Sequence, residues 1–447
     1  MNKDMTKGSP SKLLWAFALP MLLSMVFQQL YSVCDSVIAG NFINKDALAA
    51  VGASYPITMI FIAIGTGANA GCAVIISQLF GAREYGRLKT SVFTSLISLF
   101  GLSVVLTTIG LVFSDSMLIF LETPENIFND SKLYLDIYIW GLFFMFLYNI
   151  CNAIFTALGD STTPLVFLII SSLSNIGLDL LFVIVFEMGV AGVAWATFIC
   201  QGVCSLVALV FALRRVFKIK TDEKYEIFSF PMLREICRIA IPSILQQSFV
   251  SVGNLLIQRL INSYGDNTIA GYSAAIKLNT FAVSIVATVT NSVSSFTAQN
   301  AGAKNIERIK AGFRHGVIMI ICIVVPFTLI YNIFSREMIS LFMDSEEAGN
   351  TAAIDIGVQF LRVVSPFYIS VALKLVADAI LRGTATMRLF MVATFTDLLL
   401  RVILAYILSA FFDTLGIWIS WPIGWTIAAI MSVGFYLSGH WKKHVLT

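Results

Sequence analysis

The chain has 447 residues, 58% of them hydrophobic and only 12% charged, with a formal net charge of +3 and a mean hydropathy of +0.86. A water-soluble protein carries roughly 25% charged residues, so this apolar excess excludes a soluble globular fold and makes lipid the solvent. Seven cysteines form no CxxC or Cys/His spacing, and His315, His440 and His444 lie in charged segments. With no HExxH, GxSxG or P-loop either, a membrane enzyme has no support.

Met1 to Ser11 is polar and basic, and the apolar run after it contains Pro20, Gln28, Gln29 and Asp35 without a small-residue cleavage site, so it reads as a retained first helix. Twelve segments are long enough to cross a hydrocarbon layer of about 30 Å. In the first half they begin near Leu13, Leu48, Thr90, Lys132, Pro164 and Val190. In the second half they begin near Ile236, Thr268, Gly312, Ile354, Met387 and Leu415.

With the N-terminus in the cytoplasm, the inner loops collect Lys3, Lys7, Lys12, Arg83, Arg87, Arg214, Arg215, Lys218, Lys304, Arg308, Lys442 and Lys443 among others. The outer loops hold only Lys45, Lys132 and Arg336, beside acids such as Glu122, Glu125, Asp344, Glu346 and Glu347. That asymmetry places both termini inside a multi-pass chain in the plasma (inner) membrane.

The sequence is also a tandem repeat. Ala18-Leu19-Pro20 recurs as Ala240-Ile241-Pro242, and Gln78 to Arg83 recurs as Gln299 to Lys304, at offsets of 222 (242 − 20) and 221 (304 − 83). Each half holds six spans, an even number, so the repeats are parallel. The expected organisation is an all-α membrane protein: an N-lobe of spans 1–6 over residues 1–213, a cytoplasmic linker over 214–235, and a C-lobe of spans 7–12 over 236–447.

Ionisable residues inside spans need a reason, because a charge at mid-bilayer costs about 2.5–3.5 kcal/mol even on lenient scales. In the second half Lys374, Asp378 and Arg382 are spaced i, i+4, i+8, and Asp397 and Arg401 i, i+4, which suggests neutralised pairs. In the first half Asp35 and Asp179 lie deep in spans one and five with no basic residue within two helical turns. Neutral oxygen carriers surround them in sequence: Gln28 and Tyr31 on the stripe of Asp35, Asn175 one turn before Asp179, Asn149 and Asn152 in span four, and Thr197 in span six. Such oxygens suit a hard monovalent cation, and a carboxylate in a dry site also takes a proton readily; protonated acids in a polar packing network remain the alternative. The pattern does not choose between Na⁺ and H⁺.

The chain resembles the multidrug and toxic compound extrusion (MATE) family of the multidrug/oligosaccharidyl-lipid/polysaccharide exporter superfamily. The matching pieces are Pro20 with Asp35, Ala49-Ala50-Val51-Gly52, Ser77-Gln78 with Gly81-Ala82, and Arg382-Gly383-Thr384. The most specific is Ala157 to Pro164, followed by Asn175, Asp179 and Met188 to Ala194. The resemblance implies two six-helix lobes that export cationic or amphiphilic compounds in exchange for Na⁺ or H⁺. It also implies a cation site, with Na⁺ as its metal, at Asp35, Asn175, Asp179 and Thr197. Gln28, Tyr31, Tyr134 and Asn149 form the supporting polar network, and Pro20 marks a helix bend. Span seven departs from members that carry an acid there, which leaves Asp397 a secondary candidate.

The expected protein is therefore a cation-coupled antiporter of small xenobiotics or metabolites, not an enzyme. It needs no cofactor beyond its coupling ion and works as a monomer in the bilayer without nucleic acid. A lipid-linked saccharide flippase of the same superfamily is the rival reading, kept open by Lys277, Arg362, Lys374 and Arg401.

Overall fold

A computed structural model describes residues 3–38, 45–342 and 350–446; the side chains of residues 32–38, 45–48 and 350 lie outside the described set. Among the described residues the chain is helical throughout, without a strand. The first half contains α1 (Pro10–Ile38), α2 (Lys45–Ala82), α3 (Tyr85–Phe120), α4 (Glu125–Trp140), α5 (Leu142–Ala157), α6 (Thr162–Leu180) and α7 (Gly189–Lys218). The second contains α8 (Phe230–Asn262), α9 (Asp266–Gly302), α10 (Ile306–Ile333), the short α11 (Ser335–Ser340), α12 (Asn350–Val364), α13 (Tyr368–Gly383), α14 (Met387–Leu437) and the terminal α15 (Trp441–Leu446).

These helices supply the twelve expected spans. Helices α4 and α5 meet at a 44° bend and make one span, and α12 with α13 makes another. Helix α14 is 51 residues long but contains a non-helical residue, Asp413 (φ 50, ψ −136), which divides it into spans eleven and twelve. The fold is an all-α membrane protein of two six-helix lobes.

On two lipid-facing helices, α6 and α3, polar and small residues are prominent on the buried face. The buried residues of α6 are Ser172, Asn175 and Asp179, whereas Ile170 and Leu173 are 58% and 65% exposed. Helix α3 likewise buries Thr90, Ser91, Thr94, Ser95, Ser103 and Ser114 and turns Phe100, Val112 and Phe113 outward. Apolar side chains have nothing to gain by leaving lipid, so small and polar residues take the helix contacts.

The duplication extends to the backbone. Three pairs of left-handed residues recur along the two halves: Arg83 and Lys304, Gly159 and Ala385, Glu187 and Asp413. At Arg83 and Lys304 the helices α2 and α9 end in the same way. The N–H of Glu84 donates to the Leu79 carbonyl, and that of Asn305 to the Asn300 carbonyl, at 3.1 and 2.9 Å. This 6→1 bond closes a Schellman cap. The Asp413 break thus stands where the first half has its turn between α6 and α7.

By backbone contacts the chain divides into two compact units. One comprises Met1–Asp4 and Leu19–Ile244; the other comprises Met5–Ala18 and Leu245–Thr447. Two of the three boundaries fall within a turn of the repeated prolines, Pro20 in α1 and Pro242 in α8. In the first unit α2 packs on α3, α4 and α5; in the second its counterpart α9 packs on α10, α12 and α13. The opening turns of α8 belong to the first unit, where they cross α2 over two glycines. A Cβ on Gly67 would sit 2.5 Å from the Ile244 nitrogen, and one on Gly71 would sit 2.6 Å from the Ala240 Cβ. Spacing of four puts both on one face, the small-xxx-small pattern of close helix approach in lipid.

Gly71→Leu therefore has to force α8 off α2. We expect a loss of about 1–3 kcal/mol, as for other overpacked interiors, measured as a lower melting temperature of the purified protein. Gly52→Ala, where a Cβ meets nothing within 4 Å, should leave it unchanged.

Candidate functional site

The site is built on α6 and its neighbours α5 and α7. Helix α6 does not end at Leu180: it widens into a π-helical turn, Leu181–Val185, in which the Phe186 N–H donates to the Leu181 carbonyl at 3.1 Å. The turn after it passes through Glu187 and Gly189 with positive φ. Single π turns concentrate at functional sites because they redirect side chains on an otherwise regular helix. This one directly follows Asp179.

Asn175 and Asp179 share the inward face, one turn apart, at 3% and 0% exposure. Ile176 and Leu180, beside them on α6, pack against the buried pair Val183 and Val193. Both polar atoms of the Asn175 amide are buried and without a hydrogen-bond partner among the described residues. A buried amide left this way costs about 1–3 kcal/mol, a cost that an ion or proton-linked water bound beside it would remove. The donor set of carboxylate and amide oxygens fits a hard monovalent cation.

The other expected residues divide into groups. Tyr134 and Thr197 line one cavity of about 10 Å³ between α4 and α7, together with Tyr138, Gly141, Phe198 and Gln201; that volume admits about one water-sized particle. Asn149 on α5 donates to the Met145 carbonyl at 2.9 Å and accepts from Asn69 of α2 at 3.5 Å. Gln28 is exposed and Tyr31 half-buried on α1. Pro20 lies inside α1, its carbonyl accepting from the Ser24 hydroxyl at 2.9 Å. Asp35 belongs to α1, but its side chain lies outside the described residues. Asn69 and Gln201 escaped the sequence reading. Both sit on helices that carry named residues, and an amide inside an apolar run was the available signal.

The most specific motif, Ala157 to Pro164, builds a clasp outside the spans. Asp160 accepts from the N–H groups of Thr162 and Thr163 at 2.9 and 3.1 Å and from the Thr163 hydroxyl at 2.8 Å. It also forms an ion pair with Arg215 near the end of α7. Burial pushes its carboxyl upward, but the Thr163 N–H and hydroxyl and the Arg215 guanidinium outweigh burial and hold it below the ordinary carboxylate value.

Two duplicated six-helix lobes with a buried carboxylate-amide face define a polytopic membrane transporter. The MatE family model matches the chain twice, over residues 20–181 and 242–407, each match opening at one of the repeated prolines. The probable multidrug resistance protein YoeA of Bacillus subtilis is 28% identical, covering 100% of this chain and 97% of its own. The multidrug export protein MepA of Staphylococcus aureus is 22% identical, covering 96% and 93%. Among solved structures, a transporter of the MOP superfamily from Pyrococcus furiosus superposes with a TM-score of 0.89 at 24% identity, covering 99% of this chain and 98% of that one. The chain belongs to the MatE family of multidrug and toxic compound extrusion transporters.

Two outcomes test the local chemistry. Asn175→Leu removes an unpartnered buried amide, so thermal stability should hold or rise by up to about 1 kcal/mol while transport falls to background; a destabilised variant would show that the amide is structurally engaged. For Asp160 the lowered carboxyl stabilises the fold fully above the ordinary carboxylate range, and the contribution is lost as pH falls through its depressed value. Asp160→Asn should remove about 1.5–3 kcal/mol, the scale of charged hydrogen bonds, and should flatten the acid limb of a melting-temperature profile.

Proposed function

We propose that this transporter exports small organic compounds, cationic or amphiphilic, from the cytoplasm in exchange for an inward-moving Na⁺ or H⁺. Asp35, Asn175, Asp179 and Thr197 hold the coupling ion, with Gln28, Tyr31, Tyr134 and Asn149 as the surrounding polar network. The observation that carries this reading is the inward face of α6, where the fully buried Asp179 follows an orphaned amide and precedes a π turn. The names of its relatives, a multidrug resistance protein and a multidrug export protein, support the direction and breadth of transport.

In this cycle an entering ion neutralises the acidic site, α1 bends near Pro20, and substrate leaves outward. The ion then departs to the cytoplasm as new substrate binds. One charge moving inward gains about 2.3 kcal/mol per 100 mV of membrane potential, enough to drive uphill export of a neutral compound. The protein acts as a monomer in the plasma membrane with both termini in the cytoplasm. The N-lobe, linker and C-lobe span residues 1–213, 214–235 and 236–447.

A saccharide-lipid flippase would need free cations for a diphosphate. Here those cations have other partners: Lys374 pairs with Asp378, Arg362 with Ser335, Lys277 lies over the Phe342 ring and Arg401 over the Trp421 ring. That disfavours the flippase.

The test is dye efflux from proteoliposomes, run under a sodium gradient and then under a proton gradient. Asp35→Asn and Asp179→Asn should each abolish gradient-driven efflux in protein that still elutes and melts like wild type. Undiminished efflux from either variant would refute the site.

A further inference from the structure

The segment that joins α7 to α8 is fastened to the first unit. Every third residue of it meets every fourth residue of α3. The Glu223 carboxylate accepts from the Gly86 N–H at 2.7 Å. The Glu226 N–H donates to the Thr90 hydroxyl at 3.0 Å, and the Ser229 N–H to the Thr94 hydroxyl at 3.2 Å. Between these bonds the Tyr225 ring stacks on Phe93 with centroids 5.8 Å apart, and the Lys89 ammonium lies 5.5 Å from the Tyr225 ring centre.

What this fastening displays is both cationic and apolar. Val203, Val207 and Val210 form an exposed apolar stripe on α7, and Arg214, Phe217 and Lys218 continue it in steps of three and four, all exposed. At 1.5 Å per residue, Arg214 and Lys218 stand about 6 and 12 Å beyond Val210. That places them at and just past a headgroup layer roughly 5–8 Å deep. Further on, Lys220, Lys224, Arg234 and Arg238 are exposed too, and among them Ile227 and Phe230 are 67% and 75% exposed. The acids of this stretch are largely engaged: Glu223 by the Gly86 N–H and Glu235 by Arg87. Asp222 and Glu226 remain, against six cations that have no ion pair among the described residues.

We propose that the end of α7, the fastened linker and the first turns of α8 form a binding surface for anionic phospholipids of the cytoplasmic leaflet. The choice of leaflet rests on the reading above that this linker faces the cytoplasm. The six cations meet headgroup phosphates, while Phe217, Ile227 and Phe230 enter the acyl boundary beneath them. Orienting the chain during insertion accounts for basic residues beside a span, but it gives no reason for exposed isoleucine and phenylalanine among them. A lipid surface accounts for both. Clusters of four to eight Lys or Arg next to a span attract anionic headgroups, and interfacial segments combine such cations with apolar side chains that sink into the boundary. The bonds to α3 hold the surface in place beforehand, so little ordering is left for the lipid to impose.

The test is native mass spectrometry of the full chain in detergent, titrated with phosphatidylglycerol and separately with phosphatidylcholine. Wild type should bind phosphatidylglycerol the more tightly. Arg214→Gln and Lys218→Gln should each weaken it about fivefold and leave phosphatidylcholine unchanged. Lys132→Gln, a cation paired with Asp115 near the far end of α3, should weaken neither. Ile227→Ser combined with Phe230→Ser should weaken both lipids. Equal affinity of wild type for the two lipids, or unchanged phosphatidylglycerol binding in Arg214→Gln and Lys218→Gln, overturns the proposal. Thr90→Val with Thr94→Val removes two of the fastening acceptors and should weaken phosphatidylglycerol with every cation still present; no change overturns the role given to the fastening. A micelle has no sides, so these results hold whichever way the linker faces. Lys220→Cys, labelled from each side of sealed vesicles, reads the leaflet by itself, and labelling from the outer side alone would overturn that assignment.

Discussion

The structure depends on one constraint: the outer surface of each lobe faces hydrocarbon, so every polar group within a span must find its partner inside. In water, burying leucine drives helices together. In lipid that drive is absent, and close contact between small residues and between polar residues takes its place. The consequence is visible on α6, whose buried face is Ser172, Asn175 and Asp179, and on the α2–α8 crossing, where Gly67 and Gly71 allow backbone to approach backbone. Under this constraint the interior collects the functional chemistry.

Duplication supplied two copies of the scaffold, and the interiors then diverged. The caps at Arg83 and Lys304 and the left-handed turns at Glu187 and Asp413 occupy matching places. Their contents differ. The first half carries amide and hydroxyl oxygens on its helices: Asn149 and Asn69, Tyr134 and Thr197. The second sets two carboxylates against Lys374 and lays Arg401 on the Trp421 ring.

The spans, the repeat and the inward placement of Asn175 and Asp179 were legible in the sequence, because apolar length, collinear motifs and i, i+4 spacing each follow from helix geometry in a membrane. What was not legible required partners distant in the chain. The i, i+4 spacing of Asp397 and Arg401 suggests a pair, yet Arg401 lies on Trp421, which reaches it from beyond the Asp413 break. Lys374 comes instead from α13. Spacing makes a contact available without deciding it, since an aromatic face in a low-dielectric interior competes well for a guanidinium. The break itself was hidden because an aspartate, not a glycine, occupies the left-handed position. Likewise nothing in the stretch Gly159-Asp160 announces that Arg215, 55 residues on, closes the clasp.

Donor chemistry then separates what the two interiors can hold. A site made of carboxylate and amide oxygens can be filled by a sodium ion or a proton, since both are satisfied by oxygen. In the second half a carboxylate already faces an ammonium, whose positive charge repels any further cation. The two halves therefore differ in the chemistry of their interiors, even though three of their positive-φ residues fall at matching places. The distinction rests on charge: the second half buries Lys374 and Arg401 in its interior, whereas the described helices of the first present asparagine, tyrosine and threonine.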